Sequence, residues 1–263
     1  MRPALVVINP MSGVRANAGG SAEVALAGSV LGEAGFAADV VVTNGPGHAT
    51  ELAREAASRG VELVVAWGGD GTMNEVARAL AFGPISLALV PAGSGNGLAR
   101  ELGLPLDAAA ALALAGRGRQ RRIDAGEANG QLFFNVAGVG LDARVAHRFA
   151  ESKGRRGLTR YAQLGAQELL RHRAEHYELS WDGGADAGHK LFIALANSRQ
   201  YGSHGCIAPA ARVDDGRLDL VIVDDQPLWR VLGRVPAFFA GTLKPGGGVH
   251  MSTFVHARIA SSA

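Results

Sequence analysis

Short apolar runs alternate with amphipathic or alanine-rich stretches through the first hundred residues. The apolar runs predict strands at residues 5–8, 39–43, 63–67 and 86–90. The stretches between and after them predict helices over residues 21–34 and 48–59, from Thr72 to about Leu80, and after Gly97. Continuous apolar strands are typical of a parallel sheet that is buried on both faces. The alternation of strand and helix therefore predicts a doubly wound α/β domain.

The pattern changes after residue 119. Apolar and polar residues alternate over residues 177–181 and 218–222, which indicates antiparallel sheet with one solvated face. Strands are also predicted at residues 132–137, 191–197 and 249–258, and one helix near residues 158–172. We therefore predict two domains: a doubly wound α/β domain over residues 1–122 and a mostly antiparallel β domain over residues 123–263.

Composition excludes several classes of protein. Hydrophobic residues make up 48% of the 263 residues, which is enough for sizeable cores. The formal charge of +2 argues against a nucleic-acid-binding protein with a broad basic surface. Cys206 is the single cysteine, so no internal disulfide can form. No run approaches the ~20 apolar residues of a membrane span, and the N-terminal run is too short for a signal peptide, so we predict a cytoplasmic protein.

Two glycine-rich loops leave predicted strands and enter predicted helices. They read Gly-Gly-Asp-Gly-Thr at residues 68–72 and Gly-Ser-Gly-Asn-Gly at residues 93–97. Glycine lets the backbone approach phosphate closely, and the N–H groups of a helix N-terminus attract anions. The loops therefore favour a phosphate-binding site that contains Asp70. The chain lacks a Walker A motif, and its first strand is followed by Asn-Pro-Met-Ser-Gly, so a P-loop NTPase and an ordinary dehydrogenase are both disfavoured.

The ordered set of motifs resembles that of the diacylglycerol-kinase-like lipid kinases, which include the sphingosine kinases. The set comprises residues 9–13, 68–76, 93–100, 123–124, 134–143, 207–209 and 214–218, and it covers nearly the whole chain. The resemblance implies an N-terminal Rossmann-like nucleotide domain, similar to those of NAD kinase and phosphofructokinase, and a C-terminal β-sandwich domain for the lipid. It also implies that the lipid hydroxyl and the γ-phosphate of ATP meet in a cleft between the two.

The resemblance also implies roles for particular residues. Asp70 would be catalytic, and Asp124 and Asp142 would meet the substrate. Asp215 would bind Mg²⁺ together with the backbone carbonyls of Arg212 and Arg217. The positions that match the ATP-binding loops are Asn9, Thr43, Gly68, Gly69, Asp70, Gly71, Thr72, Met73, Asn74, Gly93 and Ser94. The implied partners are ATP, Mg²⁺ and a lipid substrate, with peripheral membrane contact, a homodimer and no nucleic acid.

The chain departs from the family pattern at two places. Many bacterial diacylglycerol kinases have Asn-Asp in the second glycine loop. This chain has Asn96-Gly97 there, and the sphingosine kinases also have a small residue at the position of Gly97. The family also has a Val-Asp-Gly-Glu-like segment near its C-terminus, which supplies an acid to the active site. We expect the chain to end at Ala263 before that segment, and we expect residues 1–263 to bind ATP weakly and to phosphorylate lipid poorly.

Three functions stay open at this point. The first is an ATP-dependent lipid kinase that acts on a hydroxyl of a diacylglycerol-like or sphingoid lipid. The second is a nucleotide- or lipid-binding protein with the same fold and little turnover, as the missing acid would suggest. The third is a kinase of a soluble substrate resembling NAD kinase, against which the β-rich second domain argues.

Overall fold

The computed structural model describes residues 1–12, 20–141, 174–201 and 205–261. The chain forms two compact units, Met1–Arg121 and Arg122–Ala263. Within the described ranges no helix is both long and apolar enough to cross a bilayer.

The first unit is a parallel sheet with helices packed on both faces, as predicted. The four strands lie in the order β2-β1-β3-β4, and all three neighbouring pairs are parallel. The elements in chain order are β1 Arg2–Ile8, α1 Ser21–Glu33, β2 Phe36–Val42, α2 His48–Ser58, β3 Leu63–Gly68, α3 Asp70–Leu80, β4 Ser86–Pro91, α4 Gly97–Glu101 and α5 Ala108–Arg117.

Both faces of this sheet are buried, which explains why its strands are continuously apolar. On β1, Leu5 and Val7 point to one face and pack with residues of α2 and α3. Val6 and Ile8 point to the other face and pack with Leu31 of α1 and with α5. Helices on both faces leave only the ends of the sheet open to a ligand.

The second unit is built on a six-stranded antiparallel sheet. Its central strand, β9, spans 13 residues and pairs with three others: β12 on one side, and β7 and β8 along the other. Strand β13 pairs with β12, and β14 pairs with β8. The elements are β5 Gly126–Ala128, β6 Gln131–Phe133, β7 Val136–Gly140, β8 Glu175–Trp181, β9 Gly184–Ala196, β10 Gln200–Tyr201, β11 Gly205–Cys206, β12 Leu218–Asp224, α6 Leu228–Ala240, β13 Val249–Phe254 and β14 Ala257–Ser261.

Three details of the second unit differ from the prediction. Residues 249–258 form two strands with different partners, because the chain turns at Val255-His256, where Asp182 accepts both backbone N–H groups. The run at 132–137 belongs to β6 and β7. Helix α6 was not predicted, because Gly233 and Pro236 interrupt its helix-forming pattern. The helix predicted near residues 158–172 lies outside the described residues.

A buried lysine stabilises the second sheet. The Lys190 ammonium on β9 donates to Asp186 and to Asp224, at 2.7 Å each, and its side chain is 4% exposed. His250 lies 2.7 Å from the other oxygen of Asp224. Burial opposes charge on these groups, but the mutual hydrogen bonds outweigh it, so that the pKa of Lys190 is raised and the pKa of Asp224 is lowered.

We expect Lys190→Met to lower the free energy of unfolding by about 2–3 kcal/mol at pH 7, because it leaves two half-buried carboxylates without their shared cation. A lowered pKa of Asp224 means that its stabilising contribution is present above the ordinary value of 3.8 and is lost as the pH falls through the folded value. The difference between variant and parent should therefore shrink below about pH 4. Urea unfolding at pH 7 and pH 3 measures this, with the exposed Lys244→Met as control. An equal loss of unfolding free energy in Lys190→Met and Lys244→Met would contradict the stabilising role of Lys190 and its two carboxylates.

Candidate active site

The predicted loops all lie at one edge of the parallel sheet. Backbone hydrogen bonds continue the ladder past the strand ends, from Thr43 N–H to Ile8 O at 2.8 Å and from Asn9 N–H to Trp67 O at 2.9 Å. Ala92 N–H bonds to Gly68 O at 2.8 Å in the same way. Strands β1 and β3 are the central pair, where the strand order reverses. Sheets of this class bind ligands at that point, beyond the carboxyl ends of the strands.

The loop after β1 is braced against the loop after β3. The side-chain amide of Asn9 donates to the Thr72 hydroxyl at 2.8 Å, and its oxygen accepts the Met11 N–H at 2.9 Å. Ser12 accepts the Gly69 N–H at 3.3 Å. Asn9 and Thr72 therefore hold the loops together, and Ser12, which the sequence analysis left unassigned, does so with them.

The two glycine loops touch through their backbones. A Cβ atom on Gly93 would lie 2.6 Å from the Cα of Gly69 and 3.0 Å from the Asn96 side-chain oxygen. Asn96 is buried in the left-handed conformation (φ 53°), and its amide accepts from Gly93 N–H at 2.9 Å and donates to Gly93 O at 2.8 Å. Close packing of loop on loop thus requires glycine at 69 and 93, and their N–H groups bond within the protein.

The remaining predicted nucleotide positions divide into buried and open ones. Thr43 and Met73 are buried, and a Cβ on Gly68 would lie 2.5 Å from the Thr72 hydroxyl. Asn74 is half-buried and Ser94 is exposed. Gly71, in the first turn of α3, is exposed, and a Cβ there would meet no atom within 4 Å. The first turn of a helix leaves N–H groups without intrahelical partners, so Gly71 marks the open part of the site.

Asp70 lies where the two glycine loops meet. It is the first residue of α3, and its carboxylate faces the backbone N–H groups of Asn96, Gly97 and Leu98 at the start of α4. Burial is the largest influence and raises the pKa of Asp70, while these N–H groups favour the charged carboxylate and lower it; the net direction is upward from 3.8. A carboxylate oxygen pair offers about four acceptor positions, so such a group retains capacity for a further donor.

In the second unit, Asp124 and the turn at residues 214–217 are tied together. The backbone N–H of Asp124 donates to Val213 O at 2.6 Å, and its carboxylate accepts the Gly216 N–H at 2.7 Å. The neighbouring Asp215 is exposed and accepts the Arg217 N–H at 3.1 Å. Two predicted residues, Asp124 and Asp215, are thus brought to one turn. Asp142, the other predicted substrate residue, lies outside the described residues.

The same turn carries an excess of negative charge. Burial, together with the charge of nearby Asp215, raises the pKa of Asp219 to about 6. Mg²⁺ usually takes one or two carboxylates together with water and substrate phosphate, and carbonyl oxygens are also suitable ligands. One oxygen of Asp215 accepts the Arg217 N–H, and the carbonyls of Arg212 and Arg217 are close to Asp215 in sequence. Together these oxygens form a donor set of that type. No group of three or more acidic, histidine or cysteine side chains suited to a metal occurs in the part of the chain that the structure describes.

Comparisons with known proteins cover both units. Residues 3–128 match the diacylglycerol kinase catalytic domain, and residues 135–261 match the YegS C-terminal NAD kinase beta sandwich-like domain. A protein of Pseudomonas aeruginosa PAO1 named probable lipid kinase YegS-like is 38% identical over 91% of this chain and 78% of its own length. A protein of Bacillus subtilis 168 named diacylglycerol kinase is 32% identical over 85% of this chain and 74% of its own length.

A solved structure shares the fold. The crystal structure of a diacylglycerol kinase from Bacillus anthracis Sterne superimposes with a TM-score of 0.74 at 22% identity, covering all of this chain and 86% of that one. The match to the diacylglycerol kinase catalytic domain includes the loops at residues 9–12, 68–72 and 93–97, which the structure gathers at one sheet edge. The chain therefore belongs to the diacylglycerol-kinase-like family of lipid kinases.

Proposed function

We propose that this protein transfers the γ-phosphate of Mg²⁺-ATP to a hydroxyl of a diacylglycerol-like or sphingoid lipid. The observation that carries the proposal is the position of Asp70, whose partly buried carboxylate lies at the junction of both glycine loops. Phosphoryl transfer needs charge stabilisation and positioning more than covalent help from the protein.

The phosphates would lie over the first turn of α3. Its N–H groups and the helix dipole favour negative charge there, and Gly71 leaves the approach open. The Asn9–Thr72 and Asn96–Gly93 hydrogen bonds hold this surface rigid before ATP binds. A rigid set of donors costs no reorganisation when charge develops on the transferred group.

Asp70 would act as the general base. The lipid hydroxyl oxygen attacks the γ-phosphorus, the bond from that phosphorus to the β,γ-bridging oxygen breaks, and ADP leaves. The hydroxyl proton passes to the Asp70 carboxylate, whose raised pKa makes it a better proton acceptor than an ordinary aspartate. Asp124 would position the lipid head group from the second unit.

Asp215 and the carbonyls of Arg212 and Arg217 are the residues that would hold Mg²⁺, which neutralises phosphate charge when it is bound. The lipid acceptor places the working protein at a bilayer surface by peripheral contact. We further propose a cytoplasmic location, where ATP is available and where the lone Cys206 requires no disulfide partner.

Lipid phosphorylation with labelled ATP tests this function. The purified chain is given γ-³²P-ATP, MgCl₂ and mixed micelles that contain diacylglycerol, sphingosine or neither, and products are separated by thin-layer chromatography. We expect label in one of the two lipids, dependence of the label on the micellar lipid, and its loss with EDTA. ATP binding by calorimetry without label in either lipid would instead favour the nucleotide-binding alternative.

A further inference from the structure

Helix α6 exposes an apolar face that the lipid-kinase chemistry described above does not use. Leu228, Leu232, Val235 and Phe239 recur at spacings of four, three and four residues, so they form one stripe along the helix. Trp229 extends the stripe at the N-terminal end. Trp229 is 68% exposed, Leu232 53% and Phe239 52%, and none of the 13 residues of the helix is buried.

The opposite side of α6 fixes the helix to the second unit. The Phe238 ring packs edge-on against Tyr201, with the centroids 6.0 Å apart. The Arg234 guanidinium donates to the backbone carbonyls of Lys244 and Gly246, which holds the loop before β13. The helix is therefore anchored on one side, and its apolar stripe faces outward in a defined orientation.

The chain from residue 226 onward carries charge of one sign, after the acidic pair Asp224 and Asp225. From residue 226 to residue 263 the sequence contains no aspartate or glutamate, although the chain as a whole has 24 acidic and 26 basic residues. The same segment contains four permanent cations: Arg230 and Arg234 on α6, Lys244 in the loop that follows it, and Arg258 on β14 at the far edge of the sheet. The Arg230 guanidinium lies 5.1 Å from the centre of the Trp229 ring, at the end of the stripe.

We infer that α6 lies on the surface of a bilayer that contains anionic lipid, with its apolar stripe inserted at the level of the head groups. A short helix with Trp, Phe and Leu on one face and arginine beside them is typical of interfacial binding, and the cations complement anionic head groups. At 1.5 Å per residue it is about 20 Å long, which suits lying on the membrane. The inference rests on the proposed function for its biological setting, because a lipid kinase must reach a substrate held in the bilayer.

A second copy of the chain fits this face less well. A two-fold contact would bring the same patch of each subunit together. A contact through Trp229 would also bring the adjacent Arg230 of both copies into the interface, with no carboxylate from residues 226–263 to balance them. A bilayer surface supplies both the apolar layer and the opposite charge.

Vesicle binding without any kinase substrate tests the inference. The 263-residue protein is sedimented with phosphatidylcholine vesicles, with and without 30% phosphatidylglycerol. We expect at least ~10-fold stronger partitioning to the anionic vesicles, weakened by 0.5 M NaCl. The double variant Leu232→Gln/Phe239→Gln should lose at least ~10-fold, whereas Phe82→Gln, which changes the 90% exposed side chain of the first unit, should bind like the parent.

Tryptophan quenching locates the contact. Acyl chains brominated near the head group should quench Trp229, and Trp229→Phe should bind but lose that quenching, since Trp67 is buried and Trp181 is half-buried. Equal binding by the double variant and the parent, or quenching that survives Trp229→Phe, would overturn the inference. Light scattering gives a further test. A parent that is a dimer and binds no vesicles, together with a double variant that is a monomer, would overturn the inference in favour of a second copy on this face.

Activity separates this inference from the proposed function. With a monomeric short-chain diacylglycerol the double variant should turn over like the parent, and with vesicle-embedded lipid it should be at least ~10-fold slower. Vesicle binding through α6 by a chain that phosphorylates no lipid would leave the inference standing and contradict the function. Equal turnover of vesicle-embedded lipid by both proteins would leave the function standing and contradict the inference.

Discussion

Asp70→Asn should lower lipid phosphorylation at least ~100-fold, the usual scale for losing one well-placed catalytic group. Asparagine keeps the shape of the side chain but cannot accept the hydroxyl proton. The variant also removes the negative charge that the backbone N–H groups at the start of α4 face, so we expect about 1 kcal/mol of lost stability as well. Initial rates and urea unfolding measure the two effects separately.

Asp107→Asn is the matched control. Asp107 caps α5 by accepting the Ala110 N–H at 2.9 Å, and asparagine caps helices about as well as aspartate. Its turnover and stability should stay near those of the parent.

In the parent, turnover should fall as the pH drops through the pKa of Asp70, which lies above 3.8 because of burial. An Asp70→Asn variant that retains near-parent turnover would rule out this residue as the base.

Gly93→Val should be the most disruptive single change in the loops. Its Cβ would lie 2.6 Å from the Cα of Gly69, so one loop backbone must move. Overpacking of this kind costs about 1–3 kcal/mol, and separating the loops also displaces Asp70 from the start of α4. We expect a lower free energy of unfolding together with at least ~10-fold weaker ATP binding by calorimetry.

Gly71→Val separates packing from ligand approach. A Cβ at Gly71 meets open space and φ is not in the left-handed region, so the free energy of unfolding should stay within about 0.5 kcal/mol of the parent. ATP affinity should still fall at least ~10-fold if phosphate lies over the first turn of α3. Unchanged ATP affinity in Gly71→Val would mean that the phosphates do not lie over the first turn of α3. For Gly93→Val, a free energy of unfolding equal to that of the parent would contradict the close packing of the two loops.

Local pattern was sufficient for most of the first unit. Its strands are buried on both faces and its loops carry specific turn residues, so the order of strand, loop and helix could be predicted to within a few residues up to the helix that begins at Gly97, whereas α5 was not predicted as a separate helix. The glycine motifs and their place after β3 and β4 were also predictable, because the carboxyl ends of parallel strands meet at one edge. The local pattern did not predict α6, because Gly233 and Pro236 disfavour a helix by their own propensities. The helix forms because contacts with the rest of the second unit stabilise it.

The roles of individual site residues depended on contacts between distant parts of the chain. The sequence alone determined that Asp70 lies in a phosphate-type loop. Only the tertiary structure decided that its carboxylate meets the start of α4, that glycines 69 and 93 pack on each other, and that Asp124 bonds to the turn beside Asp215. The physical reason is that composition and periodicity record which face of an element is buried, whereas the pKa of a carboxylate or the need for glycine depends on the atoms that folding brings against it.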